Sequence, residues 1–282
     1  MTSRGYSNER LLIAPAALRK RLGDPALALI DTRPAEAFAA GHIEGAAHFD
    51  LFGMSLTDTR PEPLRAYLWM MAHLFAARGV NETRAVVVYD ADTGMRAARA
   101  FWFLEHFGHP DVRVLHGGTR AWARAGHALT RDARAPEKTD WLGDRVEENL
   151  ATADLVLSRL GKPDARILDT RSDEEYFGEN IRAARGGAIP GAVHLEWTRN
   201  LTPEGEFKPA DALRAMYEQA GIRPEHEVLT YCQGGYRAAH SYLALRLLGY
   251  PRVRTYLGSW KEWGDRLDLP IEHPRRAPSS RA

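Results

Sequence analysis

The feature that most constrains this chain is that it repeats itself. Arg96-Ala97-Ala98 returns as Arg237-Ala238-Ala239 and Trp122 returns as Trp263, both at an offset of 141 residues (237 − 96 and 263 − 122). Upstream, Leu29-Ile30-Asp31-Thr32-Arg33 returns as Ile167-Leu168-Asp169-Thr170-Arg171, and Ile43-Glu44-Gly45-Ala46-Ala47-His48 as Ile189-Pro190-Gly191-Ala192-Val193-His194. Landmarks that keep their order across 282 residues imply a tandem duplication, not one large domain. The expected division is a first domain over 1–130, a polar linker over 131–148 containing Pro136 and Gly143, a second domain over 149–273, and a frayed Pro-, Ser- and Arg-rich tail over 274–282.

Within each copy, apolar runs alternate with helical patterns. Leu27 to Ile30, Val86 to Asp90 and Val112 to Leu115 read as buried strands, while Leu11–Leu22, Glu62–Arg78 and Met95–Phe107 read as helices. Strands and helices joined by short loops predict an α/β fold: two tandem domains, each a mostly parallel sheet with helices on both faces.

The copies differ where chemistry is to be expected. In the second, a run of β-formers, Val228 to Tyr231, ends at Cys232, the only cysteine in the chain. The loop Gln233-Gly234-Gly235-Tyr236-Arg237 follows, and an apolar helix begins at once. A lone cysteine is commonly a small buried hydrophobe. Glycines after it and an arginine at the helix start argue otherwise, because together they build an anion-binding nest of backbone N–H groups beside a cation. A thiol placed there ionises readily and becomes a nucleophile. In the first copy Tyr89-Asp90 stands opposite Tyr231-Cys232, and the loop is one residue longer before Arg96. A carboxylate repels anions and lacks the nucleophilicity of sulfur, so the first domain is expected to be silent and to serve as a packing partner.

Composition removes several alternatives. Formal net charge is +1 with both signs interspersed, which gives no reason to expect a nucleic-acid or membrane partner. No apolar run is long enough to span a bilayer, and Met1 to Arg10 lacks the pattern of a signal peptide, so a cytoplasmic protein is expected. One cysteine excludes an internal disulfide and a cysteine-based metal site. His42 with His48, and His106 with His109, do not share a helical face as metal ligands would, and Gly117-Gly118 is not followed by the lysine of a phosphate loop.

A duplicated α/β domain with an Asp-Thr-Arg strand end, a segment ending in His194, and a single C-x4-R loop in the second copy resembles the tandem-domain sulfurtransferases of the rhodanese family. The resemblance covers roughly Leu11 to His273. It implies that Cys232 accepts sulfane sulfur from a donor as a persulfide and passes it to cyanide or another thiophilic acceptor such as a thiol, without a cofactor. The donor is thiosulfate in one branch of the family and 3-mercaptopyruvate in the other. Loops that favour thiosulfate tend to read C-R-K-G-x-T or C-R-x-G-x-R, and the mercaptopyruvate type C-G-S-G-V-T; Cys232 to Arg237 fits neither fully, although Arg237 resembles some thiosulfate enzymes. Where the resemblance leads one to expect a donor-binding arginine, this chain has Glu175, which weakens the mercaptopyruvate reading because a carboxylate substrate needs a fixed cation.

Donor-binding residues are therefore expected to be Gln233, Gly234, Gly235, Tyr236 and Arg237 of the loop, with further charge from Arg171 or from an insertion carrying Arg182 and Arg185. For Arg171 the alternative is a structural salt bridge like that expected of its counterpart Arg33. For Arg182 and Arg185 the alternative is two solvated loop arginines. Trp197, Tyr236 and Trp260 are candidates for the pocket wall or for plain core. Two rivals remain in view: a cysteine phosphatase, whose C-x5-R loop is one residue longer, and a non-catalytic module that binds a partner or senses oxidants through Cys232.

Overall fold

The computed structural model describes residues 4–276. Two five-stranded, all-parallel sheets account for the duplication. In the first, the strands are β1 (Leu12–Ile13), β2 (Leu27–Asp31), β3 (Ala46–His48), β4 (Ala85–Tyr89) and β5 (Val112–Leu115), ordered β1-β5-β4-β2-β3. In the second they are β6 (Leu150–Ala151), β7 (Ala165–Asp169), β8 (Val193–His194), β9 (Glu227–Tyr231) and β10 (Val253–Tyr256), in the equivalent order β6-β10-β9-β7-β8. Parallel strands need crossovers, and the helices supply them: α1 (Pro15–Arg19), α2 (Ala35–Ala40), α3 (Pro61–Ala76), α4 (Met95–His106) and α5 (Gly118–Arg124), then α6 (Ala153–Arg159), α7 (Asp173–Tyr176), α8 (Ala210–Gln219), α9 (Tyr236–Leu247) and α10 (Ser259–Trp263).

The central strands are continuously buried, as parallel strands covered on both faces must be; all five residues of β4 and all five of β9 are buried. The two sheets meet through α4 and α9, which follow those strands. Apolar residues of α9 do not form a stripe, because almost the whole helix is enclosed between its own sheet and α4. One hydrophobic core therefore runs through both halves, joining Ala97, Phe101 and Leu104 with Ala239, Leu243 and Leu247.

Polar contacts fix the pairing of the halves. Tyr6 donates to the carbonyls of Phe207 and Lys208 at 3.1 and 2.7 Å. The buried carboxylate of Glu262 accepts from the backbone and hydroxyl of Thr59, and Tyr242 donates to Glu105 at 2.5 Å. The halves are thus a single packed unit.

Two sequence expectations change. Leu11–Leu22 is not one helix, since Leu12–Ile13 is an edge strand paired with Val114 and Leu115, and Pro15, which lacks a backbone N–H, opens the short helix that follows. The segment read as a linker has no strand or helix between 131 and 146, yet it is tied down: Thr139 N–H donates to the Ala76 carbonyl at 3.0 Å and Val146 N–H to that of His106 at 2.7 Å. Of the expected tail, 277–282 lies outside the described residues, while Arg276 pairs with Glu179 at 2.9 Å and lies 4.7 Å over the Phe177 ring. Among the described residues no helix is long and apolar enough to cross a membrane.

Trp122 and Trp263 occupy equivalent buried positions, and each indole N–H is bonded, to the carbonyls of Ala128 and Pro270 at 2.9 and 2.7 Å. Replacing either by alanine is expected to cost about 3–5 kcal/mol in urea unfolding, from the cavity and the freed carbonyl together.

Candidate active site

The site grows out of the C-terminal end of β9, the place where a parallel sheet presents a crevice. Tyr231 ends the strand, Cys232 leaves it, and Gly235 caps α9 with φ +88°, a left-handed conformation that glycine adopts without strain. That turn brings the loop amides inward. Gly235 N–H donates to Cys232 Sγ at 3.1 Å, and the N–H groups of Gly234 and Ala238 favour the thiolate as well. Burial pushes the thiol up, but the Arg237 charge and these three amides outweigh it, and the net shift is downward.

The outer side of the loop is clamped by α10. Trp260 N–H donates to the Cys232 carbonyl at 2.8 Å, Lys261 N–H to that of Gln233 at 2.9 Å, and Cys232 N–H to Ser259 Oγ at 3.2 Å. Ser259 pays for this with a left-handed backbone, φ +53°, unusual for a residue with a side chain.

A cavity of about 450 Å³ opens over the sulfur. Cys232, Gln233, Gly234, Tyr236, Arg237 and Arg182 line it, whereas Gly235 acts from beneath through its amide. The other two arginines proposed from the sequence do not reach it. Arg171 is 1 % exposed, forks onto Asp169 with its closest contact at 2.6 Å, caps the Gly187 carbonyl at 2.7 Å and lies 4.4 Å from the Trp260 ring. Arg33 does the same to Asp31 in the first half. Arg185 spends its guanidinium on backbone carbonyls, among them Gly264 at 3.2 Å and Leu269 at 3.0 Å, and so fastens the insertion to the turn after α10. Trp197 and Tyr236 wall the cavity, and Trp260 is core beneath it.

Sequence reasoning missed the contribution of the first half. Phe52, Gly53, Ser55 and Met95 form much of the opposite wall, and Tyr236 donates to the carbonyls of Leu51 and Met54 at 2.5 and 3.0 Å. Lys261, also missed, lines the rim from α10. Gln233 does not point its amide at the donor space; it donates to the Arg182 carbonyl at 2.7 Å and holds that arginine at the mouth.

Glu175 explains its own presence. Seated by a capping box with Ser172, its carboxylate receives both arms of Arg237, one at 2.8 Å, and Arg182 at 3.1 Å. It holds Arg237 beside Cys232. In the first half the equivalent Arg96 pairs instead with Asp50 and covers Phe52, 4.2 Å from its ring. There Asp90 fills its own nest: it accepts from the N–H groups of Ala91 and Arg96 at 2.8 and 3.2 Å, and burial raises its carboxyl to about 6. No group of three or more His, Cys, Asp or Glu among the described residues is arranged to hold a metal.

The profile of the rhodanese-like domain matches residues 14–125 and again 152–266. The chain is 38 % identical to the thiosulfate sulfurtransferase of Azotobacter vinelandii over 267 residues, covering 95 % of this chain and 98 % of that one. It is 37 % identical over 270 residues to the thiosulfate sulfurtransferase of Pseudomonas aeruginosa, with coverage of 95 % and 98 %. The structure of the 3-mercaptopyruvate sulfotransferase SseA from Escherichia coli superposes with a TM-score of 0.77 at 29 % identity, covering 89 % of this chain and 98 % of that one.

The Glu175 carboxyl yields a pH prediction. Burial alone raises it, but the hydrogen bonds and charge of Arg237, with the Ser172 N–H and the Arg182 charge, bring it from 4.5 to about 2. A group whose pKa falls on folding contributes stability in full above its unfolded value and loses it as pH drops through the folded one. Glu175→Gln is expected to be less stable than the parent by on the order of 2 to 3 kcal/mol at neutral pH. That gap should close between about pH 4.5 and pH 2 in urea titrations, whereas a pH-independent gap contradicts the assignment.

Proposed function

Because the chain belongs to the rhodanese family, with two copies of its domain, we propose that it is a sulfurtransferase that moves the outer sulfur of thiosulfate to a thiophilic acceptor through a persulfide on Cys232. The observation that carries the reading is the convergence of loop amides and Arg237 on Cys232 Sγ at the floor of a cavity. A thiolate attacks the outer sulfur of thiosulfate; the S–S bond breaks and its electron pair leaves with sulfite. The terminal sulfur of the persulfide then carries the charge and occupies the amide nest, which stabilises it as an oxyanion hole stabilises an oxygen. Cyanide or a thiolate acceptor takes that sulfur, the persulfide bond breaks, and the Cys232 thiolate returns. Two displacements at one sulfur predict ping-pong kinetics.

The charge around the cavity supports thiosulfate over 3-mercaptopyruvate as donor. A carboxylate substrate is best held by a free guanidinium fork. Both arms of Arg237 are committed to Glu175, and Arg182 shares the same carboxylate. Lys261 and the exposed side of Arg182 remain at the rim as point charges suited to a compact dianion. The first half is read as non-catalytic, since Asp90 blocks its nest, and the protein as cytoplasmic.

Initial rates of thiocyanate formation test the reading, with thiosulfate and 3-mercaptopyruvate compared as donors. Thiosulfate is expected to be the better donor by kcat/KM, and Cys232→Ser to abolish transfer from both. A preference for 3-mercaptopyruvate would move the assignment to the sister activity, and activity surviving in Cys232→Ser would remove the persulfide from it.

A further inference from the structure

The catalytic loop is held from below by an arginine of the other half. Arg99 lies on α4, is fully buried, and donates from Nη1 to the Gly235 carbonyl at 3.1 Å. Among the described residues its Nε and Nη2 have no hydrogen-bond partner and no carboxylate pairs with it. Instead its guanidinium lies 4.8 Å from the Phe103 ring, 5.2 Å from Tyr236 and 5.6 Å from Trp102. Aromatic faces recover part of the lost hydration of a buried cation. An unpaired buried charge remains expensive, and an apolar residue of similar size would be the stabler choice for a purely structural position.

The duplication supplies an internal control. At the 141-residue offset the counterpart of Arg99 is His240, on α9. Each residue crosses to the loop of the opposite half: Arg99 binds the Gly235 carbonyl, and His240 Nε2 binds the Thr93 carbonyl at 2.9 Å. The exchange is pseudo-symmetric in position but not in charge. Burial brings His240 down to about 3, so a neutral ring faces the loop whose nest Asp90 fills, and a permanent cation faces the loop that carries the thiol.

We propose that Arg99 is a positioning residue for the reaction, holding the Gly235 carbonyl so that the Gly235 amide stays on Cys232 Sγ, and supplying from the silent half a positive charge that no carboxylate cancels. The contact is close: a side chain on Gly235 would place its Cβ 2.2 Å from Arg99 Nη1, so with the arginine in place position 235 has no room for one. The same carbonyl accepts from Ala239 N–H at 3.1 Å, which locks the first turn of α9 to the anchor. The other charged groups near Cys232 are Arg237 on α9, Lys261 on α10 and Arg182 in the insertion, with Glu175 behind the two arginines.

The inference rests on Cys232 being the nucleophile but not on the identity of the donor. Its test is the pH profile of iodoacetamide alkylation, unambiguous in a protein with one cysteine, measured with thermal unfolding for Arg99→Met and Arg99→Lys. Loss of the charge and the anchor is expected to move the alkylation midpoint of Arg99→Met up by about one pH unit and to slow alkylation at neutral pH about tenfold. Its Tm should be equal to or above that of the parent, and Arg99→Lys should recover most of the thiol reactivity. Should Arg99→Met not fold, Arg99→Gln keeps the carbonyl contact without the charge, and the same upward shift is expected. A parental alkylation profile in the folded neutral variant would overturn the proposal, whatever happens to sulfur transfer.

Discussion

The structure turns on one interaction, the convergence of Arg237 and loop amides that favours the thiolate of Cys232, a buried sulfur at the floor of the cavity. A thiolate out of water is costly, and here the compensation comes from the Arg237 charge and from backbone amides at the opening of a helix. That requirement explains the surroundings. A buried parallel strand must deliver Cys232 to the crevice, a glycine must turn left-handed to aim its amide, and α10 must hold the loop carbonyls from outside. The strain at Ser259 is stored where it fixes the cysteine amide.

The first half is part of the same site. With Asp90 filling its own nest, it contributes Phe52, Ser55 and Met95 to the cavity wall, and its Arg99 bonds the Gly235 carbonyl behind the loop. The duplicated helices α4 and α9 pack against each other, so each loop lies within reach of the other copy. The two copies thus bring different things to this site: the second holds Cys232, and the first lines one wall of its cavity.

The repeat made the two sheets and the strand–loop–helix turn at Cys232 legible from residues alone, because periodicity and turn chemistry are local. Where the sequence misleads, a non-local contact decides. The run Leu11-Leu12-Ile13 fits a helix until Val114 and Leu115 pair with it. Arg171, Arg182 and Arg185 are alike as residues near the loop, and only the fold shows that Asp169 and backbone carbonyls occupy two of them while Gln233 holds the third at the cavity. Glu175 was visible as a departure from the family pattern, but its partnership with Arg237 depends on a contact 62 residues away in the chain. The wall residues of the first half carry no local signal at all, and His240 as the twin of Arg99 becomes meaningful only once both loops are seen facing each other.

The most direct measurement is the intact mass of the purified protein after incubation with thiosulfate and again after addition of cyanide. The account predicts a gain of one sulfur atom, located on Cys232 by peptide mapping, and its complete removal by cyanide. A protein that gains no sulfur from thiosulfate while its thiol alkylates freely would contradict it.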